Sequence, residues 1–291
     1  MVFASLLLVI LASVIHAGWN LLAKRAAPVG PVFVFAYNLI ACLAYAPWVF
    51  YLLAHGEGIV WSWSSAGFVL LSGTVHLAYS LCLQRGYQVA DLSVVYPVAR
   101  GSGPVLSALG AFLLLGETPS AQGLLGLLLV VAGIGLIATK CRLSAFRQPG
   151  GQPGIRWGAA TGGLIATYTV VDAYAVKALG IAPVVLDWFS NLMRFFFLAP
   201  FVIASPRRAA AAMRGYWRIA IGVGLLSPLS YILVLAALTS GAPLSLVAPI
   251  REMSMMIGAL MGMLVLREEV GPWRLAGCGV LIAGVILLSQ A

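Results

Sequence analysis

The chain has 291 residues, of which 62% are hydrophobic and 9% are charged. A soluble globular domain carries about 25% charged residues, so this composition excludes a soluble enzyme, because too few charges are present to cover a water-facing surface. The formal net charge of +9 would suit a nucleic-acid partner, but the basic residues lie between long apolar runs, which is typical of a membrane protein. We therefore expect membrane lipid around most of the molecule and no nucleic acid bound to it.

The apolar runs predict an all-α membrane protein with ten transmembrane helices. A hydrocarbon layer about 30 Å thick requires about 20 apolar residues per helix, and continuous runs disfavour a β-barrel, whose strands alternate with period two. The N-terminal segment lacks the basic start of a signal peptide, so we interpret it as the first retained span. The expected spans are about 2–22, 31–54, 66–84, 92–115, 120–139, 157–176, 182–204, 217–238, 243–266 and 273–290.

Motif spacing predicts no cofactor, no metal site and no enzyme. The four cysteines are far apart without a C-x-x-C pair, which disfavours a zinc or redox site. No H-E-x-x-H sequence occurs, and Arg100 stands two residues before Ser102, where a G-x-S-G nucleophile site has its first glycine. Another possible class is a structural or regulatory membrane subunit, for which ionisable residues deep inside the spans have a less obvious use.

The distribution of Lys and Arg predicts how the chain is oriented, since cytoplasmic loops carry an excess of both. Most of the 17 basic residues lie in the loops after the odd-numbered spans, whereas the opposite loops hold Lys177. This asymmetry places both termini outside the cytoplasm, in a multi-pass protein of the plasma (inner) membrane. The basic residues of the first group are Lys24, Arg25, Arg85, Lys140, Arg142, Arg147, Arg156, Arg207, Arg208, Arg214, Arg218, Arg267 and Arg274.

The chain also repeats itself at an offset of about 152 residues. The sequence LSVVYP at 92–97 matches LSLVAP at 244–249, and the same offset pairs Tyr79 with Tyr231. Each copy holds five predicted helices, and with an odd number the two copies must cross the membrane in opposite senses. Inverted repeats of this kind build secondary transporters, which bind their substrate near the midplane where the repeats meet.

We predict a first repeat at 1–140, a basic linker at 141–156 and a second repeat at 157–291. The linker is rich in Arg, Gly and Pro, a composition typical of the connection between two units.

The repeated segments resemble the EamA family of the drug/metabolite transporter superfamily. PVARGSGPVLSALGAFLLLGE, which begins at Pro97, is echoed by PIREMSMMIGALMGMLVLREE, which begins at Pro249, and HAGWNLLAKRA, from His16, is similar to first helices of that family. The resemblance implies a ten-helix exporter or exchanger of amino acids or other small metabolites. Distant relatives carry sugar phosphates and nucleotide sugars. The acidic residues that close the fourth and ninth helices in the family pattern fall on Glu117 and Glu269, where we expect each to stabilise the start of the following helix.

Charged residues inside the spans are candidates for substrate binding, since each costs about 2.5–3.5 kcal/mol on insertion scales. Arg100 lies in the fourth span, and Arg251 and Glu252 lie in the matching part of the ninth. The repeat places Arg100 opposite Glu252. We expect these two side chains to meet, either as a permanent ion pair that fixes the packing or as part of a binding or gating site.

Prolines predict a break in the fourth span rather than the ninth. Pro97 and Pro104 bracket Arg100, whereas the ninth span has only Pro249 at the equivalent place. Proline removes a backbone donor and clashes with the preceding turn, so a kinked or unwound segment is expected around Arg100. Freed backbone groups beside an arginine would suit a carboxylate or phosphoryl group, and the alternative is a bend needed only for packing.

Two further carboxyl groups and one arginine complete the set of charges within the spans. Asp172 lies deep in the sixth span, and Asp187 and Arg194 lie in the seventh, where Arg194 is expected to pair with one of the two carboxylates. Burial disfavours a charged carboxylate, so Asp172 and Glu252 are candidate carriers of a coupling proton. Three charges of each sign favour a zwitterionic or singly charged solute.

Aromatic and polar residues at helical spacing predict a face that lines the solute path. Three of them follow the i, i+3, i+4 pattern on the first helix, and two more recur on the third. Taken singly, each could instead make a hydrogen bond between helices. These candidates are His16, Trp19 and Asn20 on the first helix, His76 and Tyr79 on the third, and Tyr231 as the repeat partner of Tyr79.

The sequence therefore predicts a secondary transporter that moves a small, polar, amino-acid-like metabolite by alternating access, with export or exchange both open and a proton as a candidate coupling ion. The alternative is a carrier of an anionic phosphoryl-containing or lipid-linked substrate. Either a monomer or a homodimer is compatible with the sequence.

Overall fold

A computed structural model of the chain describes residues 3–89, 92–139, 151–266 and 271–291. Within these ranges the chain is helical, with a short 3₁₀ turn at Ala27–Val29. The α-helices are α1 (Phe3–Arg25), α2 (Pro31–Ala54), α3 (Trp63–Val89), α4 (Leu92–Leu114), α5 (Ala121–Thr139), α6 (Gly151–Lys177), α7 (Pro183–Ile203), α8 (Pro206–Ala212), α9 (Trp217–Thr239), α10 (Leu244–Arg251), α11 (Met253–Leu266) and α12 (Pro272–Gln290).

Every predicted span corresponds to helix in this structure. Eight segments of the described residues are long and apolar enough to cross a membrane: α1, α2, α3, α5, α7, α9, α12 and the run Leu244–Met261. The two remaining predicted spans, α4 and α6, have 23 and 27 residues but contain more polar and glycine residues. Helix α6 begins at Gly151, so residues 151–156 of the predicted linker are helical, while 141–150 lie outside the described residues.

The prediction that the helix unwinds in the fourth span and not in the ninth is wrong. Helix α4 remains α-helical through Pro97 and Pro104, and the interruption lies instead in the ninth span, which divides at Glu252 into α10 and α11. Pro249 cannot donate a backbone hydrogen bond, and the turn tightens so that the Glu252 amide donates to the Pro249 carbonyl at 3.0 Å. The Arg251 carbonyl at the break accepts a 3.2 Å hydrogen bond from the Ser13 hydroxyl, so the polar backbone there has a partner.

The helices pair in a pattern that repeats when the two halves are exchanged. Helix α1 packs on α9, and its counterpart α6 packs on α3. The pairs α2 with α7, α5 with α12, and α4 with α10 join equivalent helices of the two halves. This is the arrangement expected of two inverted five-helix repeats related by a pseudo-two-fold axis.

The two membrane faces differ in their loops and packing. We call the face with the α1–α2 turn and segment 204–216 the basic face, and the face with loops 55–62, 115–120, 178–182 and 240–243 the opposite face. The largest apolar core cluster includes Ile181, Val185, Leu238 and Leu244 beside the opposite face. Packing is therefore extensive at the opposite face, which leaves room for a cavity nearer the basic face.

Glycines bring α5 and α12 into direct backbone contact. A β-carbon on Gly277 would lie 2.9 Å from the Gly133 carbonyl oxygen and 2.8 Å from the Ile137 amide nitrogen. Both are backbone atoms, which cannot move aside without separating the helices. Around the equivalent position of Gly279, on the same helix, the described part of the chain has no atom within 4 Å outside the helix's own backbone and the neighbouring residues.

Replacing Gly277 with alanine should therefore destabilise the protein by about 1–3 kcal/mol, the usual effect of overpacking. The matched control is Gly279→Ala, which should be neutral or slightly stabilising because alanine favours helix more than glycine does. Thermal unfolding of the two variants in detergent checks this. Equal melting temperatures for the two variants would contradict the close contact of α5 with α12.

Candidate functional site

A cavity of about 520 Å³ lies between the two halves of the molecule. Both halves contribute to its wall, through α1, α2, α3 and α4 on one side and α6, α7, α9 and α10 on the other. The lining reaches Ala26, Gly30 and Pro31 at the α1–α2 turn, and within the described ranges no residue of the opposite-face loops contributes to it. The cavity therefore opens towards the basic face.

Asp172 on α6 is fully buried just behind the cavity wall. Its Oδ2 atom lies 3.0 Å from Nε2 of His76 on α3 and accepts a 2.5 Å hydrogen bond from the hydroxyl group of Tyr231 on α9. His76 and Tyr231 line the cavity, whereas Asp172 is not part of the lining. The carboxylate is therefore separated from the cavity by His76 and Tyr231, and it acts on a bound solute through these two side chains.

Four rings form what we call the aromatic wall: His76, Tyr79, Tyr168 and Tyr231. His76 stacks on Tyr168 with ring centroids 4.0 Å apart, and Tyr79 meets Tyr168 edge-on at 5.5 Å. Tyr231 meets His76 edge-on, also at 5.5 Å. All four rings line the cavity. Tyrosine faces carry negative electrostatic potential and attract organic cations, so this wall suits the positive end of a solute.

A second cluster surrounds Glu252 at the break between α10 and α11. Glu252 is 1% exposed, and its carboxylate lies 3.2 Å from Nε of Arg100 and 3.9 Å from Nη2 of Arg251. The Arg100 contact is an ion pair and not a linear hydrogen bond, since Nε lacks a well-directed acceptor. Both arginines line the cavity and Glu252 does not. The expected meeting of Arg100 with Glu252 is confirmed, and the cluster presents net positive charge.

Helix α7 contributes a third charged group. The Asn191 amide donates a 2.8 Å hydrogen bond to Oδ2 of Asp187, and Arg194 donates a 2.9 Å hydrogen bond to Oδ1 of the same amide group. Asp187 and Arg194 both line the cavity. The predicted pairing of Arg194 with a carboxylate therefore occurs through Asn191 as an intermediate.

The predicted face of α1 also borders the cavity. His16, Trp19 and Asn20 all line it, with the His16 and Trp19 rings edge-on at 4.9 Å. Nε1 of Trp19 donates a 3.2 Å hydrogen bond to Ser230 of the other half, and the Asn20 amide donates to the His16 carbonyl at 2.8 Å. Asn20 is exposed, which fits its position near the mouth.

Sequence reasoning missed Tyr168 and the bridging role of Asn191. Tyr168 precedes Asp172 by four residues on α6, so the two share a helix face, and that spacing could have identified it. Within the described part of the chain, no group of three or more His, Cys, Asp or Glu residues could hold a metal ion.

The chain resembles a family of membrane transporters over most of its length. The model of the EamA-like transporter family matches residues 3–139 and again residues 152–290. Multidrug resistance protein EbrB of Bacillus subtilis (strain 168) is 39% identical over 85 residues, which cover 28% of this chain and 68% of that protein. EbrB of Bacillus atrophaeus is 38% identical over 85 residues, with the same coverage.

A solved crystal structure superimposes on the whole chain with a TM-score of 0.79, covering 98% of that structure at 15% identity. Identity this low shows the fold alone. The two matches to the family model account for the internal repeat, and the apolar helices account for the membrane location. The chain belongs to the EamA-like transporter family, and it is a multi-pass membrane transporter and not an enzyme.

Proposed function

We propose that the protein is a secondary transporter for a small polar metabolite, zwitterionic or singly charged and amino-acid-like, which it moves by alternating access. The observation that carries this proposal is the cavity of about 520 Å³ between the two repeats. Its volume is within the range of small-molecule sites, about 300–1,000 Å³. Its wall combines one positive and one negative region at separate positions.

The positive region consists of Arg100 and Arg251, which share the single carboxylate of Glu252. Its surplus charge suits a carboxylate group of the substrate, which arginine binds well. The negative region is the aromatic wall with Asp172 behind it, where, among the described residues, the carboxylate contacts His76 and Tyr231 but no Lys or Arg. This region suits an ammonium group.

The balance of charges argues against the alternative of a multiply charged phosphoryl or lipid-linked substrate. Asn191 links Arg194 to the carboxyl group of Asp187, so we assign the charge of Arg194 to this pair and not to the Glu252 cluster. A phosphate dianion would find one surplus positive charge, whereas phosphate sites usually gather several donors and cations.

The proposed mechanism is rocking of the repeat at 1–140 against the repeat at 157–291 around the cavity. The positive-inside rule makes the basic face cytoplasmic, which places both termini outside the cytoplasm of the plasma (inner) membrane. The cavity then faces the cytoplasm, where it can bind a solute for export or exchange.

Asp172 and Glu252 are the residues that we propose to bind a coupling proton. The transporter works as a monomer or a homodimer.

A second candidate is drug export, which the name of EbrB suggests. The aromatic wall supports it, because flat aromatic cations stack well on tyrosine rings. A drug exporter would bind such cations even when the cation itself carries no carboxylate group. The two candidates therefore differ in what Arg100 and Arg251 contribute.

We expect saturable counterflow of a zwitterionic amino acid in proteoliposomes, found by first screening metabolites for thermal stabilisation of the detergent-solubilised protein. A ligand at 100 times its Kd stabilises the folded state by about 2.7 kcal/mol. Arg100→Ala should lower the counterflow rate at least tenfold, since it removes part of the positive region. Glu57→Gln, an exposed acid in loop 55–62, is the control and should transport normally.

Three results would favour other functions. Stabilisation by aromatic cations alone, unaffected by Arg100→Ala, would favour drug export. Stabilisation by phosphorylated compounds alone would favour the phosphoryl carrier. Absence of flux and of stabilisation across the panel, with folded protein, would contradict transport of a small metabolite.

A further inference from the structure

Glu117, at the end of the first repeat's fourth span, holds the start of a helix in the second repeat. Its two carboxylate oxygens accept hydrogen bonds from the amides of Leu244 and Ser245, at 2.6 Å and 2.9 Å. Nζ of Lys177 lies 3.4 Å from the same carboxylate and donates to the Ala242 carbonyl at 3.3 Å. The expectation that Glu117 stabilises the following helix is corrected, because it caps α10 and not α5. Glu269 lies outside the described residues.

These contacts lie at the face away from the cavity mouth. Loop 115–120 carries Glu117, and loop 240–243 precedes α10, so both belong to the opposite face. Beside them, the Ala182 amide donates a 2.6 Å hydrogen bond to the Gly58 carbonyl and ties loop 178–182 of one half to loop 55–62 of the other. The opposite face is thus closed by polar contacts that join the two repeats.

The Glu117 contacts hold this face and remain accessible to solvent at the Lys177 side. The first amides of a helix have no partner within the helix, so the carboxylate supplies bonds that α10 cannot make for itself. The Lys177 side chain is 30% exposed, and solvent screens an ion pair of that kind. Water can therefore replace both sets of contacts when the repeats separate.

Helix α10 connects these contacts to the substrate region. Its eight residues run from Leu244, beside Glu117, to Arg251, in the cavity wall. At 1.5 Å per residue its length is about 12 Å. All of its residues are buried, and the break at Glu252 separates it from α11, so it can tilt as one short rigid segment.

We propose that Glu117 is the gate residue of the opposite face: its bonds to α10 keep that face closed while the cavity is open at the basic face, and their release lets α10 tilt and opens the cavity on the opposite side. This gate rests on the alternating access proposed above. Binding of a substrate carboxylate at Arg251 would act on the far end of the same helix and so bias the gate. Glu117 need not contact the substrate itself.

The gate is tested by distances across the two faces, measured by double electron–electron resonance without any substrate. All four native cysteines are replaced by alanine. One spin-label pair, Ser120→Cys with Ser240→Cys, spans the opposite face, and a second, Arg25→Cys with Arg207→Cys, spans the basic face. All four positions are exposed and belong to different repeats within each pair.

In Glu117→Ala we expect the longer-distance population across the opposite face to rise about tenfold, with shorter distances across the basic face. Loss of a side-chain helix cap has an effect of this order. Glu117→Gln, which keeps one acceptor oxygen, should show a smaller shift in the same direction, and Lys177→Met a shift of about twofold. Glu57→Gln, which removes an exposed charge from the same face, is the matched control and should leave both distributions unchanged.

Unchanged distances on both faces in Glu117→Ala, with the protein monodisperse, would overturn the gate. An equal shift in Glu57→Gln would also overturn it, because the effect would then follow charge alone. If Glu117→Ala does not fold, the distances across the opposite face and across the basic face are measured in Glu117→Gln and Lys177→Met instead. Because no substrate is needed, a shift in distances without counterflow would contradict the proposed transport and leave the gate supported.

Discussion

Replacing Glu252 with glutamine should lower the free energy of unfolding by about 3–5 kcal/mol, the usual effect of removing one partner of a buried ion pair. The carboxylate is 1% exposed and faces Arg100 at 3.2 Å and Arg251 at 3.9 Å. Without it, two buried guanidinium groups lie close together with no negative charge between them. We expect transport to be lost as well, since the repulsion would displace both arginines from the cavity wall.

Chemical unfolding in detergent and counterflow in proteoliposomes measure the two effects. The control is Glu57→Gln, which removes a carboxylate of the same type from an exposed loop and should change stability by less than about 0.5 kcal/mol. A double-mutant cycle with Arg100→Met and Glu252→Met should show coupling, with the double variant more stable than the sum of the single changes predicts. Additive single changes would contradict a direct interaction between the two side chains.

The repeat in the sequence was the most informative guide to this cluster. An offset of about 152 residues aligned Arg100 with Glu252, and residues related by a pseudo-two-fold axis near that axis must face each other. The helices followed from apolar length alone, because a span must satisfy its backbone hydrogen bonds within itself. Together with helical spacing, these principles identified ten candidate substrate residues, of which eight lie on the cavity wall.

The errors arose where tertiary contacts decide between local alternatives. Two prolines and two glycines predicted a break near Arg100, yet α4 continues as helix there. In the ninth span, a single proline is enough to interrupt the helix. The hydroxyl group of Ser13 on α1 donates a hydrogen bond to the Arg251 carbonyl, and both arginines attract the Glu252 side chain. No pattern within the ninth span encodes a partner that lies 238 residues away along the chain.

Long-range partners also explain why Asp172 and Glu117 were only partly understood from the sequence. Spacing along α6 predicts which residues share a face with Asp172, but His76 and Tyr231 are 96 and 59 residues distant. Similarly, proximity in sequence suggested that Glu117 stabilises the start of α5, whereas the amides that it binds are 127 and 128 residues distant. Helix periodicity gives the face of a residue but not the helix that packs against it.

Replacing Asp172 with asparagine should reduce the affinity for the ammonium end of the substrate by about 30-fold, since a unit charge acting across His76 and Tyr231 from roughly 8 Å contributes about 2 kcal/mol at an effective dielectric constant of about 20. Asparagine has nearly the same shape, so His76 and Tyr231 can keep their positions, but it carries no negative charge. The aromatic wall then attracts a cation through its ring faces alone, which contribute less.

The experiment compares three ligands: an amino acid that stabilises the protein, its amide without the carboxylate group, and its acid without the ammonium group. In Asp172→Asn, binding of the amino acid and the amide should weaken in parallel, while binding of the acid should stay within about twofold of the parent protein. In Arg251→Met, binding of the amino acid and the acid should weaken while binding of the amide stays nearly unchanged, because Arg251 belongs to the positive region that binds the carboxylate. Equal weakening of all three ligands in Asp172→Asn would mean that Asp172 supports the packing of α3, α6 and α9 and does not distinguish the ends of the substrate.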